Sequence, residues 1–429
     1  MTGASLERRL GPLDAAVIVV ANVLGVGIFT APAFVATIVP NPLAMLAVWV
    51  CGGVLAFLAA LAYAELAARR PLAGGEYVYL RESFGEPAAF LTGWTSFVAG
   101  FSGAIAAGAM GVTTYLDRFI PGTADSKGIA IGIIALLAVI HARGLGPGRT
   151  LQVILTFAKV AAVVALVVIG FASKQPHATG SFIQAPVSPS ALLFAMVPVM
   201  FSYSGWNAAV YIAEEVREPS RNVPLGLAIG TVVVVMLYVS LNALFVLWPA
   251  RVGVSTASSF SAVAIVIMLS SLSAMTLAGP RVYFAMARDG AFFSAAARIH
   301  ERYRTPVIAI AAQAAWSSLL VLSGTFEELL TYTGFAVILF SGLAVLSLFV
   351  NRRHAPETPT FRAWGYPWAP ATFCTVSFAI VINAIITAPG PAIAGLGIIA
   401  AGLPIYWWTR RGREPRSVTN SLRPEVLES

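Results

Sequence analysis

Three short stretches of this sequence carry residues that could do chemistry. The first is a single lysine, Lys159, the one charge in the apolar run Thr150–Ala172. In a helix it lies about nine residues, or about 14 Å, from the nearer end, too far for its ammonium to reach water. A charge left near the centre of a bilayer costs roughly 2.5–3.5 kcal/mol, so Lys159 needs a cavity or a polar partner. Two readings stay open. Lys159 is a brace that hydrogen-bonds helix carbonyls, or it is a functional cation whose amine can also carry a proton.

The second stretch is Gly25-Val26-Gly27-Ile28-Phe29, and the third is Phe201-Ser202-Tyr203-Ser204-Gly205-Trp206-Asn207, preceded by Pro198. Small residues such as Gly25 and Gly27 are ordinary where membrane helices pack closely. The alternative is an unwound segment, tolerated at membrane depth only where the freed backbone lines a cavity or is buried in protein. The helix that restarts after such a break offers bare N–H groups and a positive dipole end, which suit a carboxylate. For Phe201 and Trp206 the plain alternative is core packing. Beyond the third stretch, Glu214, Glu215, Arg217, Glu218 and Arg221 form a charge cluster, either a solvated helix end or a gating network. His141 and His177 read as loop residues.

These stretches must be positioned by membrane helices. The chain of 429 residues is 58% hydrophobic and 11% charged, with a mean hydropathy of +0.82. A soluble chain carries about a quarter charged residues, so the charge here is roughly halved. The apolar runs approach the ~20 residues that span hydrocarbon as a helix. About twelve spans are expected, near 14–39, 42–67, 87–118, 128–142, 150–172, 190–215, 224–247, 259–286, 306–324, 329–350, 367–388 and 390–409. The third is long enough to tilt. The first follows Arg8 and Arg9 but is too long for a signal-peptide core and lacks a cleavage site, so it is expected to be retained.

The net charge of +8 is a topology signal. With both termini cytoplasmic, twenty-two of the twenty-seven Lys and Arg residues fall inside. Only Arg118, Lys127, Lys174 and Arg251 fall outside. That asymmetry obeys the positive-inside rule and offers attraction to anionic lipid headgroups, with no nucleic-acid partner implied. Cys51 and Cys374 lie in apolar runs and read as small buried hydrophobes, with neither a disulfide framework nor metal spacing. No cofactor is expected.

Spans one and six share one property: the first is interrupted by glycines, the sixth by Pro198 and Gly205. Interrupted helices at matching places in two halves mark the binding site of a secondary transporter. The sixth span comes five spans after the first, an odd offset, so the halves would be inverted relative to each other.

These motifs together resemble a known family. Gly25–Phe29 is similar to the first-helix Gly-x-Gly-Ile-Phe of amino-acid permeases of the amino acid–polyamine–organocation superfamily. Phe201–Asn207 with Glu214, Glu215, Pro219 and Pro224 resembles the sixth helix of L-type amino-acid transporters, and the bacterial members are the nearest match. Gly74-Gly75-Glu76-Tyr77, Gly93-Trp94 and Ala285–Gly290 agree with other family segments. The resemblance covers about residues 8–410.

It implies an all-α polytopic membrane protein with a LeuT-type fold: two inverted five-helix repeats, residues 14–172 and 190–350, plus peripheral helices in 366–409. Residues 1–13 and 410–429 would be cytoplasmic, in the inner membrane of the cell. It also implies alternating-access transport of an amino acid, as a sodium-independent proton symporter or exchanger. The substrate carboxylate would meet amides of Gly25, Val26 and Gly27. Its ammonium would meet carbonyls near Val23, Phe201 and Ser204. Phe201 would cover the substrate, with Ser202, Trp206 and Asn207 contributing from the sixth span. The Lys159 ammonium would stand where sodium-coupled relatives place a sodium ion.

The sequence departs from the family in the short Trp248–Phe260 connection, which puts the extracellular lid in doubt, and at Pro280, which is expected to kink span eight. Phe119–Lys127 holds no cysteine, so a disulfide-linked heavy subunit is not expected. An enzyme is the weakest rival, since no hydrolase, Walker or zinc motif occurs and Gly144–Gly148 follows no strand. A channel and a transport-inactive amino-acid sensor are further rivals.

Overall fold

The computed structural model describes residues 6–25, 27–172, 186–247, 254–323, 326–354 and 359–410. The chain begins with the broken pair α1 (Pro12–Val23) and α2 (Gly27–Ile38), then α3 (Pro42–Arg69), the short α4 (Glu76–Phe84) and α5 (Glu86–Thr95). A π-helical turn at Ser96–Gly100 joins α5 to α6 (Phe101–Leu116), followed by α7 (Lys127–Ala142) and α8 (Leu145–Ala172). The second broken pair is α9 (Pro189–Tyr203) and α10 (Ala208–Tyr211). After it come α11 (Pro219–Leu247), α12 (Val254–Arg288), α13 (Val307–Ser323), α14 (Phe326–His354), α15 (Trp368–Thr387) and α16 (Pro389–Arg410). Among the described residues the nearest approach to β-structure is a single bridge between Leu10 and Val216.

Seven helical runs, counting α5 through α6 as one, are long and apolar enough to cross a membrane, judged by length and composition. Shorter apolar helices include α1, α7 and α9. The outward faces of α8 and α11 carry Ile154, Phe157, Val168, Ile229 and Met236, all exposed, as expected of sides turned to lipid. The chain is thus a multi-pass membrane protein. Cys374 is buried as expected, but Cys51 is exposed on α3. Its apolar setting marks a lipid-facing side, which composition does not distinguish from a protein core.

α1 is buried from Asp14 to its end at Val23, with only its first turn at Leu13 exposed. It can be enclosed because α11 comes very close. A Cβ on Gly226 would stand 2.4 Å from the Ala15 side chain, and one on Gly230 2.6 Å from Val19. Small residues at such contacts let helix backbones approach where the hydrophobic effect offers no drive. α12 runs on through Pro280 to Arg288, so the proline is accommodated within one helix.

At the end of the bundle near Leu10 the elements are tied by charge. Glu65 on α3 pairs with Arg69 and with Arg352 on α14, and accepts from the Ala363 amide at 2.8 Å. Glu215 and Arg281 form a fully buried two-pronged pair, at 2.7 and 3.1 Å. Backbone amides of Arg9 and Leu10 donate to the Glu215 carbonyl, so the N-terminal strap is part of the same knot. The expected charge cluster therefore divides. Glu215 is buried, Glu214 pairs with Arg288 at 2.8 Å, and Glu218 with Arg221 remains an exposed pair.

Candidate functional site

The site is built where two helices stop inside the bundle. α1 ends at Val23, and its last carbonyls have no donor left within the helix. Side chains from three other helices meet all four of them. Lys159 Nζ on α8 donates to Ala21 O and Leu24 O, each at 2.7 Å. Ser271 Oγ on α12 donates to Asn22 O at 3.4 Å. Tyr238 OH on α11 donates to Val23 O at 2.7 Å and stands 3.0 Å from Ser202 O on α9. One hydroxyl thus bridges the ends of both broken helices.

Lys159 is fully buried, and its ammonium sits at the negative end of the α1 dipole. The need for a polar partner, read from its place in an apolar run, is met by these two carbonyls.

α9 stops because the chain turns. Ser204 leaves helical geometry, and Gly205 adopts φ +99°, a left-handed conformation that an L side chain rarely takes. A Cβ there would also press within 2.9 Å of Asn22 on α1. The two breaks touch again at Gly27, where a Cβ would lie 2.9 Å from the Ser202 Cα and 2.8 Å from its Oγ. At Gly25 the obstacle is the Ser271 hydroxyl, 2.8 Å away.

Between the breaks lies a cavity of about 40 Å³. One water needs about 10–15 Å³ on this scale, so the space suits a small solute. Asn22, Val23, Gly25 and Gly27 line one wall, and Phe201, Ser202 and Ser204 another. α6 contributes the smooth face of Gly103, Ala104, Ala107 and Gly108. α12 closes the remaining side with Met268, Ser271, Leu272 and Met275. Among the described lining residues none is ionisable. α2 begins at Gly27, so its first-turn amides, which have no acceptor within the helix, start at the cavity wall.

Of the residues singled out from sequence, Val23, Gly25, Gly27, Phe201, Ser202 and Ser204 are brought together here, with Lys159 directly behind. Val26 lies outside the described residues. Trp206 and Asn207 are placed elsewhere: the Gly205 turn carries them past the cavity. Trp206 packs edge-on against Tyr63 at 4.6 Å and against Phe373 at 6.2 Å. Asn207 donates to Glu76 at 2.8 Å and to Tyr211 at 2.9 Å. His141 is a buried helical residue, its Nε2 2.8 Å from Ser273 Oγ, because α7 extends to Ala142 before Gly144 ends it. His177 and residues 248–253 of the short connection lie outside the described residues.

Tyr238, Ser271, Met268, Leu272 and Met275 are not singled out from sequence. The one available signal is polar groups within apolar runs: Tyr238 with Asn242, and Ser270 to Ser273. Which face these turn to is not readable without the packing.

Residues 10–409 match the family model described as amino acid permease. The chain is 26% identical over 432 residues to the serine/threonine exchanger SteT of Bacillus subtilis, covering 95% of this chain and 98% of that protein. It is 28% identical over 448 residues to the human cystine/glutamate transporter, covering 97% and 89%. With the human b(0,+)-type amino acid transporter 1 it shares 28% identity over 379 residues, covering 81% and 77%.

Proposed function

Since the chain belongs to the amino acid permease family, we propose that it moves small, uncharged α-amino acids across the cytoplasmic membrane by alternating access, without sodium. The observation that carries this reading is the cavity between two broken helices, with helix-start amides on one side and helix-end carbonyls on the other. Such a site complements both charges of a zwitterion. The carboxylate would take amides of Gly25, Val26 and Gly27, and the ammonium would approach the carbonyls of Val23, Phe201 and Ser204. Each carbonyl has two lone pairs, so the bond Val23 O accepts from Tyr238 leaves room for a second. The absence of ionisable side chains among the described lining residues supports an uncharged substrate side chain.

Lys159 supports sodium independence. Its ammonium occupies the carbonyls at the end of α1, where a sodium ion would otherwise be drawn. Two such charges 4 Å apart would repel by about 4 kcal/mol at an effective dielectric of 20. That is nearly three factors of ten in affinity. The lysine can act in two ways: it carries a proton through a symport cycle, or it stays charged in an exchanger.

The twelve-span arrangement with inverted repeats at 14–172 and 190–350 is part of this reading. So is the orientation with both termini cytoplasmic, which the cation split supports. That residues 119–127 hold no cysteine supports a chain without a heavy subunit disulfide-linked through that loop.

Counterflow into proteoliposomes, run against all twenty amino acids, tests the proposal. Saturable uptake of small neutral amino acids is expected, and arginine or glutamate as the preferred substrate would refute the pocket argument. A pH gradient that drives net uptake supports symport, and uptake only into preloaded vesicles supports exchange.

A further inference from the structure

Glu76 is a buried carboxyl outside the cavity, and among the described residues no cation pairs with it. It opens α4, which lies between the spans α3 and α5–α6. Its Oε1 accepts from Tyr63 OH on α3 and from Asn207 Nδ2, at 2.8 Å, in the segment after the Gly205 turn. Asn207 donates also to Tyr211 OH on α10. One oxygen atom thus ties α3, α4 and the continuation of α9 together, one layer beyond the cavity. The link to the cavity is short: Gly205, two residues before Asn207, packs directly on Asn22, which lines it.

The surrounding titratable groups leave this carboxyl without a counter-charge. Tyr63 faces it from α3, with Tyr79 of α4 against that ring at 6.0 Å, and Tyr211 faces it from α10. The cations of neighbouring elements already hold carboxylates of their own: Arg70 with Glu82, Arg81 with Asp289, Arg281 with Glu215, and Arg352 with Glu65. Burial pushes the Glu76 carboxyl up to about 7, outweighing the two donors that favour its anion.

We propose, on the reading of this chain as an alternating-access transporter, that Glu76 is a proton-binding site whose occupancy sets the position of the segment Gly205–Tyr211. The neutral acid rests in this dry layer with Tyr63 and Asn207. The anion has two donors and no cation, so it draws water in, parts Asn207 from α4 and frees the segment beneath the cavity. Because the carboxyl is raised when folded, the closed layer is favoured at low pH and is lost as pH rises through about 7.

Infrared difference spectroscopy on the full chain in liposomes across the pH range around 7 tests this. A protonated-carboxyl band should vanish as pH rises, and Glu76→Gln should lack it. Tyr63→Phe removes a donor that favours the anion, so the titration should move to higher pH. Counterflow by wild type should change across the same range, whereas Glu76→Gln should be flat. A band that persists in Glu76→Gln, or a midpoint unmoved in Tyr63→Phe, overturns the proposal. If Glu76→Gln does not fold, the Tyr63→Phe midpoint decides. Wild type that shows this titration yet transports nothing would sink the transporter reading instead, since the infrared signal needs no substrate.

Discussion

Tyr238 and Lys159 reach the end of α1 from different helices and between them occupy the carbonyls of Ala21, Val23 and Leu24, each at 2.7 Å. The break in α1 is therefore held open by side chains rather than by backbone strain. Its four end carbonyls would otherwise be orphaned far from water, at a cost of about 1–3 kcal/mol for each buried group left unpaired. Holding them with an amine, a phenol and a serine hydroxyl keeps the helix ended at the level where the cavity begins.

Lys159 can be divided into its two roles by substitution. Lys159→Gln keeps a donor for the carbonyls and loses the charge, whereas Lys159→Ala loses both. If the lysine is only a brace, the glutamine variant should transport normally with unchanged ion dependence. The account predicts a folded Lys159→Gln protein, close to wild type in detergent melting, whose uptake has become sensitive to sodium or insensitive to pH. Lys159→Ala should melt lower, by a loss of about 1–3 kcal/mol for each of the two carbonyls left unpaired.

Tyr238→Phe removes a single oxygen that touches both broken helices. The ring, packed at 5.8 Å on Trp49 and 5.0 Å on Tyr203, stays in place. A stability loss of about 1 kcal/mol is expected from the missing hydrogen bond. The larger effect should be on substrate affinity, a roughly tenfold weakening, because Val23 O and Ser202 O are no longer held in register. Equal transport kinetics in the phenylalanine variant would show that the bridge is incidental.

The two glycines should respond differently to repair. Gly25→Ala meets the Ser271 hydroxyl, a removable obstacle, so Gly25→Ala with Ser271→Ala should recover uptake lost in the single variant. Gly27→Ala meets the Ser202 Cα, which no side-chain change removes, so Gly27→Ala with Ser202→Ala should remain inactive. Uptake assays on the four variants, with membrane expression as control, decide this. Recovery at Gly27 would mean that α2 and α9 have room to separate at their contact.

Much of the fold and site is legible in the sequence, and the misses share a cause. The apolar runs announce membrane helices because lipid demands them, and Gly25, Gly27 and Gly205 mark where helices fail, whereas α9 runs on through Pro198, expected from the sequence to interrupt it. What the sequence does not reveal is direction. Trp206 and Asn207 directly follow the break, yet a φ of +99° at Gly205 turns them toward Tyr63 and Glu76. Cys51 and Cys374 sit in equally apolar runs, and only packing distinguishes the exposed one from the buried one. Tyr238 gives little sign of itself because a tyrosine in a membrane helix has many ordinary uses. Its role emerges only when α11 is laid against α1 and α9.

A ligand test separates the zwitterion site from a looser pocket. α-Amino acids should stabilise the detergent-purified protein in thermal-shift assays, and their decarboxylated amines or esters should not. Each missing charge leaves helix-end groups without a partner, a loss of about 1–3 kcal/mol, or roughly fivefold to somewhat over a hundredfold in affinity. Equal stabilisation by an amine and its parent amino acid would show that the α2 amides are not used.

The most direct measurement of the central claim is uptake of a labelled small neutral amino acid into preloaded proteoliposomes, with all sodium replaced by choline. The account predicts saturable uptake that an excess of the unlabelled amino acid abolishes and its decarboxylated amine does not. Uptake that stops in choline would contradict the role given to Lys159. Uptake that fails to saturate, or that no amino acid elicits above protein-free vesicles, would contradict a carrier built on the cavity between the two broken helices.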